Sequence, residues 1–396
     1  MNSADPISGL SSWCEVDVEA LHANTRFLRE GLAEGALLGI VVKSNGYGHD
    51  MVLSAREFLS AGADWLVVNS VTEARSLRES GVDSPVYVCG GVPPEQADLV
   101  AATGARVVVF DRDTADALDE AGSRTGVPVR VHLKVETGMH RQGLPTDEIV
   151  ELALWLRSRR GVVLEGLTTH YANSDDTTDP AFALEQLRVL EKARKAVVSR
   201  GVAVPMVHSA NSASSLLWPQ THGSLARAGI AAYGLWPSAE SREIAMRRRE
   251  GKDGSTVGLV PALSWRARVV QVKEVPAGGT IGYGRTYRAA APMRVAVLPV
   301  GYFEGYDRRL TNVAHVLIDG MRAPVCGRVC MNLTVVDVTH IPGARAGSVA
   351  TLLGRDGEEE VSADTLASWM GTINYEVVTR IHPGQPRLAR HGDAIG

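Results

Sequence analysis

Short apolar runs without polar alternation recur through the amino-terminal two thirds of the chain. That pattern belongs to strands buried on both faces of a parallel sheet. One run begins at Leu37 and leads straight into Lys43, and others fall at Trp65–Asn69, Val86–Cys89, Arg106–Phe110, Val129–Val135, Val162–Thr169, Met206–His208 and Gly229–Tyr233. Between them the apolar spacing becomes helical, over Glu19–Leu32, Met51–Ala61, Val71–Glu79, Pro94–Thr103, Asp113–Ser123, Asp147–Arg157 and Pro180–Arg200. In the stretch from Asp147, residues Ile149, Leu152, Ala153 and Leu156 share one face, and Thr146 is placed to act as the N-cap. Eight strands alternating with helices predict a (β/α)8 barrel of the TIM type. A doubly wound open sheet is the rival, but no G-x-G-x-x-G follows any of the strands.

The period then changes. Ser238–Thr256 is charged and glycine-containing, which predicts a linker, with Arg247, Arg248 and Arg249 as a solvated turn. Beyond it Arg266–Val275, Met293–Val300, His315–Ile318, Ala323–Val338 and Ser348–Leu353 read as strands between Gly/Pro turns, with one helix near Ala363–Met370. The expected organisation is a barrel over residues 14–250 and a separate, mostly antiparallel β domain over 257–396. The alternating run Trp13–Val18 suits either one.

Composition narrows the function without naming it. The 396 residues are 45% apolar and 22% charged, with a net charge of -4 and no basic patch interleaved with aromatics, so nucleic acid is not an expected partner. The amino terminus lacks a basic stretch followed by an apolar one, and no run approaches a membrane span. Cys14, Cys89, Cys326 and Cys330 are too scattered for a disulfide scaffold or a metal site, so a cytoplasmic protein without metal is expected.

On a barrel, chemistry gathers at the carboxyl ends of the strands. Lys43 stands at such an end, followed by SNGYG with Tyr47. A lysine there begins partly desolvated, the condition under which an amine becomes nucleophilic and forms imines. Other strand ends offer Lys134 and Arg141, His170, His208 with Asn211 and Ser212, and Arg227 with Gly229 and Ile230. Taken singly, His170 or His208 reads as a hydrogen-bonded core histidine and Arg141 as a surface ion pair. Their shared position at strand ends favours a site. The loops after the last two strands commonly hold phosphate in this fold, and Ser212 with the amides of Gly229 and Ile230 would supply donors. A reactive lysine opposite a phosphate cradle suggests pyridoxal phosphate.

At this point the chain resembles the alanine racemases, pyridoxal-phosphate enzymes of fold type III. The resemblance spans essentially the whole chain and rests on VVKSNGYGH at Val41–His49, TGMHR at Thr137–Arg141, HSANS at His208–Ser212, RAGIAAYGL at Arg227–Leu235, GYGRTY at Gly282–Tyr287, VGYFEGYDR at Val300–Arg308, GRVCM at Gly327–Met331 and NYEV at Asn374–Val377. It implies that Lys43 holds the cofactor and serves as one catalytic base, and that Tyr283, from the β domain of a second subunit, serves as the other. It implies Arg227 at the pyridine nitrogen with His208 behind it. Tyr47, Asn211, Ser212, Gly229, Ile230 and Tyr375 would lie around the cofactor, and Arg141 and the Met331 backbone would receive the substrate carboxylate. Lys134, His170 and Tyr302 are implied as supporting residues, with Asp175, Arg308 and Arg328 at the entrance. The chain departs from the family's common residues at Asn332 and Glu136, where aspartate is frequent, and at Asp307, where proline is.

The implied function is interconversion of L- and D-alanine by a homodimer with shared sites, supplying D-alanine for peptidoglycan. A racemase preferring serine or another small amino acid, a decarboxylase of basic amino acids and a non-catalytic pyridoxal-phosphate carrier are the alternatives. A decarboxylase is expected to place a carboxylate where Arg227 stands, and a carrier has no use for Tyr283. Racemisation removes a proton from one face of a carbon and returns one to the other, so two bases are the simplest solution. A phenol needs nearby positive charge to act as a base near neutral pH, and Arg141 and His170 are the candidates to provide it.

Overall fold

The computed structural model describes residues 6–175, 179–249, 258–392 and 394–395. Two compact units emerge, one made of Leu21–Gly46 with Met51–Val260, the other of the remaining described chain, including Tyr47–Asp50.

The first unit is the barrel. After β1 (Ser12–Asp17), which belongs to the other unit, come β2 (Leu37–Val41), β3 (Trp65–Val68), β4 (Val86–Val88), β5 (Arg106–Val109), β6 (Val129–Lys134), β7 (Val162–Thr168), β8 (Met206–His208) and β9 (Leu225–Ala228). Neighbours pair in parallel from β8 round to β2, and β2 pairs with β9. Two backbone bonds, Ser224 N–H to Val207 O at 2.8 Å and Arg227 N–H to Ala210 O at 3.1 Å, close the gap between β8 and β9. Strands such as WLVV and VYV are buried along their whole length, as their unbroken apolar character requires.

Several expectations change in detail. The eighth strand is Leu225–Ala228, and the apolar Ile230–Tyr233 behind it is a 3-10 turn, because Gly229 takes a backbone conformation (φ −106°, ψ −104°) that ends the strand. Arg227 therefore sits within a strand. The stretch read as linker holds a helix, Ala239–Arg249, supported by an i,i+4 contact of 2.5 Å between Arg247 and Glu243, so Arg247–Arg249 end a helix and do not form a turn. Residues 250–257 lie outside the described chain. Thr146 is the first helical residue and Pro145 the cap, without a side-chain bond. Two short helices, Ser212–Leu217 and Asn374–Thr379, were not anticipated.

The second unit is built mostly from antiparallel strands. Its larger sheet runs Met321–Pro324, His315–Ile318, Val349–Asp356, Leu263–Arg268, β1 and Arg387–His391, and only the contact between β1 and the last of these is parallel. A three-stranded sheet joins Gln271–Val275, Met293–Leu298 and Thr334–Asp337. The long strand expected over Ala323–Val338 is broken, its middle forming a loop through Arg328–Asn332.

Candidate active site

Lys43 follows Val42 directly at the carboxyl end of β2. What comes next is unusual: Ser44, Asn45, Gly46 and Tyr47 all have left-handed φ angles of 55°, 54°, 62° and 52°. Side-chain carbonyl and carboxylate oxygens hold this turn, since Glu73 Oε1 accepts from Ser44 N–H at 2.8 Å and Asn45 Oδ1 from Met51 N–H at 3.1 Å. Glu73 uses its other oxygen for the capping box of its own helix.

Arg227 is buried, and its partners are all neutral. Nη1 donates to His208 Nδ1 at 2.5 Å and approaches Thr168 Oγ1 at 3.5 Å, while Nη2 donates to the carbonyls of Thr169 and Ser209 at 3.0 and 3.1 Å. A guanidinium carries five N–H donors, more than these four contacts use. His208 is thus in direct contact with Arg227.

Ser212 opens the helix after β8. Its Oγ accepts from Gly229 N–H at 2.8 Å and from Ala231 N–H at 3.3 Å, which leaves its own O–H to donate. Ile230 begins a 3-10 turn, where an amide has no partner within the turn. Asn211 caps the Ser212 helix through Oδ1, and its amide nitrogen donates to Ser174 at 2.8 Å and Asp175 at 3.2 Å, so it shapes the loop that presents Ser212.

The third group follows β6 and β7. Lys134 is pushed down to about 7 by burial first and then by Arg227, so near neutral pH much of its amine is uncharged. His170 is held well below the usual histidine range by burial and then by Lys134, Arg227, Arg141 and Lys43. It is therefore neutral and offers a hydrogen bond, not charge; of the two cations the sequence suggested, only Arg141 brings a positive charge. The loop carrying Arg141 is tied by Glu136, whose carboxylate accepts from the amides of Gly138, Met139 and His140 at 2.5, 2.8 and 3.0 Å. Partial burial opposes that charge, but the three donors hold the carboxyl below its usual range.

The β unit carries the remaining candidates. Tyr283 starts a 3-10 turn and is 72% exposed. Near it a cavity of about 400 Å³ is lined in part by Tyr302, Arg308, Arg328, Met331 and Asn332. Two loops are joined there: Tyr302 N–H donates to Cys330 O at 3.0 Å and Phe303 N–H to Met331 O at 2.9 Å. A Cβ at Gly301 would lie 2.2 Å from Cys330 O, so only glycine permits this approach. Asn332 donates to Glu304 Oε1 at 2.7 Å, and Glu304 Oε2 accepts from Gly301 N–H at 2.8 Å. Tyr47 and Tyr375 face each other with ring centroids 6.3 Å apart.

Sequence reasoning missed two residues, His132 and Glu165, which extend the Arg227–His208 contact into the barrel floor. The signal was present as a polar residue inside each of the buried strands VRVHLK and VVLEGLT.

This donor set fits pyridoxal phosphate: a primary amine at a strand end, a hydroxyl and an amide for the phosphate, and a buried guanidinium for the ring nitrogen. The comparisons agree with that fit. Residues 16–237 match the alanine racemase N-terminal domain and residues 262–389 the alanine racemase C-terminal domain. An alanine racemase of Symbiobacterium thermophilum is 42% identical over 377 residues, covering 95% of this chain and 96% of its own. The structure of alanine racemase from Bacillus anthracis with bound L-Ala-P superposes with a TM-score of 0.89 at 31% identity, covering 97% of this chain and 96% of that one. That from Streptomyces coelicolor gives 0.87 at 32%, covering 96% and 98%. With both halves matched in order and relatives alike over nearly their full length, the chain belongs to the alanine racemase family.

Proposed function

We propose that Lys43 and Tyr283 are the two proton-transferring groups of an alanine racemase whose sites are shared between the two chains of a homodimer. The cofactor is pyridoxal 5'-phosphate, which when bound supplies a ring that accepts the electron pair left by the departing α-proton. Lys43 would hold it, Arg227 would meet its ring nitrogen, and the Ser212 hydroxyl and Ile230 amide would receive its phosphate, with Gly229 acting through Ser212, to which its own N–H is bonded. Tyr47 and Tyr375 are proposed as further phosphate contacts.

The observation that carries this reading is Arg227: a buried guanidinium, bound only to neutral acceptors, at the carboxyl end of the barrel. A guanidinium does not surrender its proton, so a ring nitrogen facing it stays unprotonated. Arg227 would thus keep a bound ring a weaker electron sink than a carboxylate partner would, and so favour return of the proton to the α-carbon.

One base removes the α-proton from its face while the other, protonated, delivers a proton to the opposite face. After each turnover the two have exchanged protonation states, so the reverse reaction starts from where the forward one ended. Arg141 and the Met331 backbone orient the substrate carboxylate. The exposed Tyr283, Tyr302, Phe303, Met331 and Leu333 give the β unit an apolar rim that a second chain would cover. Among the described residues no helix is long and apolar enough to cross a membrane. The proposed setting is the cytoplasm and the proposed role supply of D-alanine for peptidoglycan.

The test is to incubate the holoenzyme with a panel of L-amino acids in deuterated water and to measure both D-isomer and α-deuterium. Alanine should racemise fastest. Binding of cofactor without α-deuterium in alanine would indicate a carrier, and faster turnover of serine would reassign the substrate.

A further inference from the structure

We infer that His132 and Glu165 are positioning residues that, through His208, fix the direction of the hydrogen bonds running from the barrel floor to Arg227 and so prevent a proton from reaching the cofactor ring along that line. The inference rests on the reading that Arg227 meets the ring nitrogen.

The contacts form one line. Arg227 Nη1 lies 2.5 Å from His208 Nδ1, His208 Nε2 lies 2.8 Å from His132 Nδ1, and His132 Nε2 lies 2.9 Å from Glu165 Oε2. Beyond the carboxylate stand two more guanidiniums, Arg106 at 3.0 Å and Arg130 at 3.4 Å. Both histidines are fully buried.

The two ends dictate the polarity. A guanidinium can only donate, so His208 must present a bare Nδ1 and carry its proton on Nε2. An ionised carboxylate can only accept, so His132 must carry its proton on Nε2 and present a bare Nδ1. These requirements agree, and each N–H in the line points toward Glu165. The opposite polarity would set N–H against N–H at Arg227. Burial holds both imidazoles below their usual range, so neither takes a second proton near neutral pH. Partial burial opposes the Glu165 charge, but His132, Arg106 and Arg130 hold that carboxyl below its usual range, which keeps it the obligate acceptor. Tyr87 packs against both rings, with centroids 5.0 and 5.2 Å away, and Thr168 Oγ1 lies 3.1 Å from His208 Nδ1, where its hydroxyl can donate to the same bare nitrogen.

The backbone is shaped for this line. The register of β6 against β7 shifts between Val131 and His132: Val131 faces Leu164 and His132 faces Gly166, leaving Glu165 as the extra residue of a bulge. A bulge of this kind re-aims a side chain. Gly166 then makes room for the ring, since a Cβ there would lie 2.6 Å from His132 Nδ1.

The experiment is nitrogen NMR of the full-length holoenzyme with ring-15N histidine, His132 and His208 being assigned by single substitution, beside a sample loaded with cofactor labelled at the pyridine nitrogen. In the wild type both histidines should show an unprotonated Nδ1 and a protonated Nε2 throughout roughly pH 6–8. A protonated Nδ1 on His208 in the wild type would overturn the inference. In Glu165→Gln, which keeps an acceptor but loses the charge, the His132 tautomer should become mixed and the cofactor should bind about tenfold more weakly to the apoprotein. Tautomers and cofactor affinity both unchanged in that variant would mean that the pair only packs the barrel, and would overturn it. A protonated pyridine nitrogen in a wild type with the expected histidine tautomers would instead sink the Arg227 reading, so the two failures are distinguishable.

Discussion

The barrel and the β unit present their candidate residues in opposite ways. Arg227, His208 and Ser212 are buried and each is held by several hydrogen bonds, whereas Tyr283 is 72% exposed and Met331 55%. A buried group held by several neighbours has its geometry set before any ligand arrives, which is what a cofactor cradle needs. An exposed phenol on a 3-10 turn has no such constraint from its own chain. On the proposed dimer, the barrel's residues would be set on folding and those of the β unit only on assembly.

The strongest test of that contrast is complementation. Lys43→Ala and Tyr283→Phe should each lower turnover by about 10²–10⁴-fold in both directions, the usual weight of a positioned acid or base. Mixing and reassembling the two variants should restore activity to roughly one quarter of the wild-type sites, because half the dimers would be mixed and each would hold one intact site. No recovery would confine both residues to one chain's site. Next in size, Ser212→Ala removes the acceptor for Gly229 and Ala231. Its cofactor affinity should fall about tenfold and its unfolding free energy by about 1–3 kcal/mol, the cost of stranding buried amides. Equilibrium dialysis and urea titration would measure these.

The third effect is a change of slope with pH. Lys134 lies near 7 in the fold and near its ordinary 10.5 when unfolded, so between those values the unfolded chain binds more protons and stability rises with pH. In cofactor-free protein, Lys134→Met should flatten this rise by at most about 1.4 kcal/mol per pH unit. An unchanged slope in urea titrations across that window would place the missing proton elsewhere.

The barrel was legible because parallel strands buried on both faces are written as continuous apolar runs, and Lys43, Lys134, His170 and His208 stood where those runs end. The eighth strand was misplaced because LARA, short and interrupted by a charge, reads less like a strand than IAAY beside it. The helix Ala239–Arg249 was missed because its residues carry almost no apolar stripe. His132 and Glu165 escaped for a different reason: their meeting depends on a register shift, which no periodicity in either strand announces. The charge state of His170 was also beyond reach, since it depends on how many cations the fold gathers around one ring.

The left-handed turn after Lys43 has a thermodynamic consequence. Three of its residues, Ser44, Asn45 and Tyr47, carry side chains, and a left-handed backbone costs such residues roughly 1–2 kcal/mol each. Several kcal/mol are thus held in one short segment beside Lys43, balanced by Glu73 and Asn45. Amide hydrogens there should exchange among the fastest in the apoprotein and slow sharply on loading, which makes this turn a built-in gauge of cofactor occupancy.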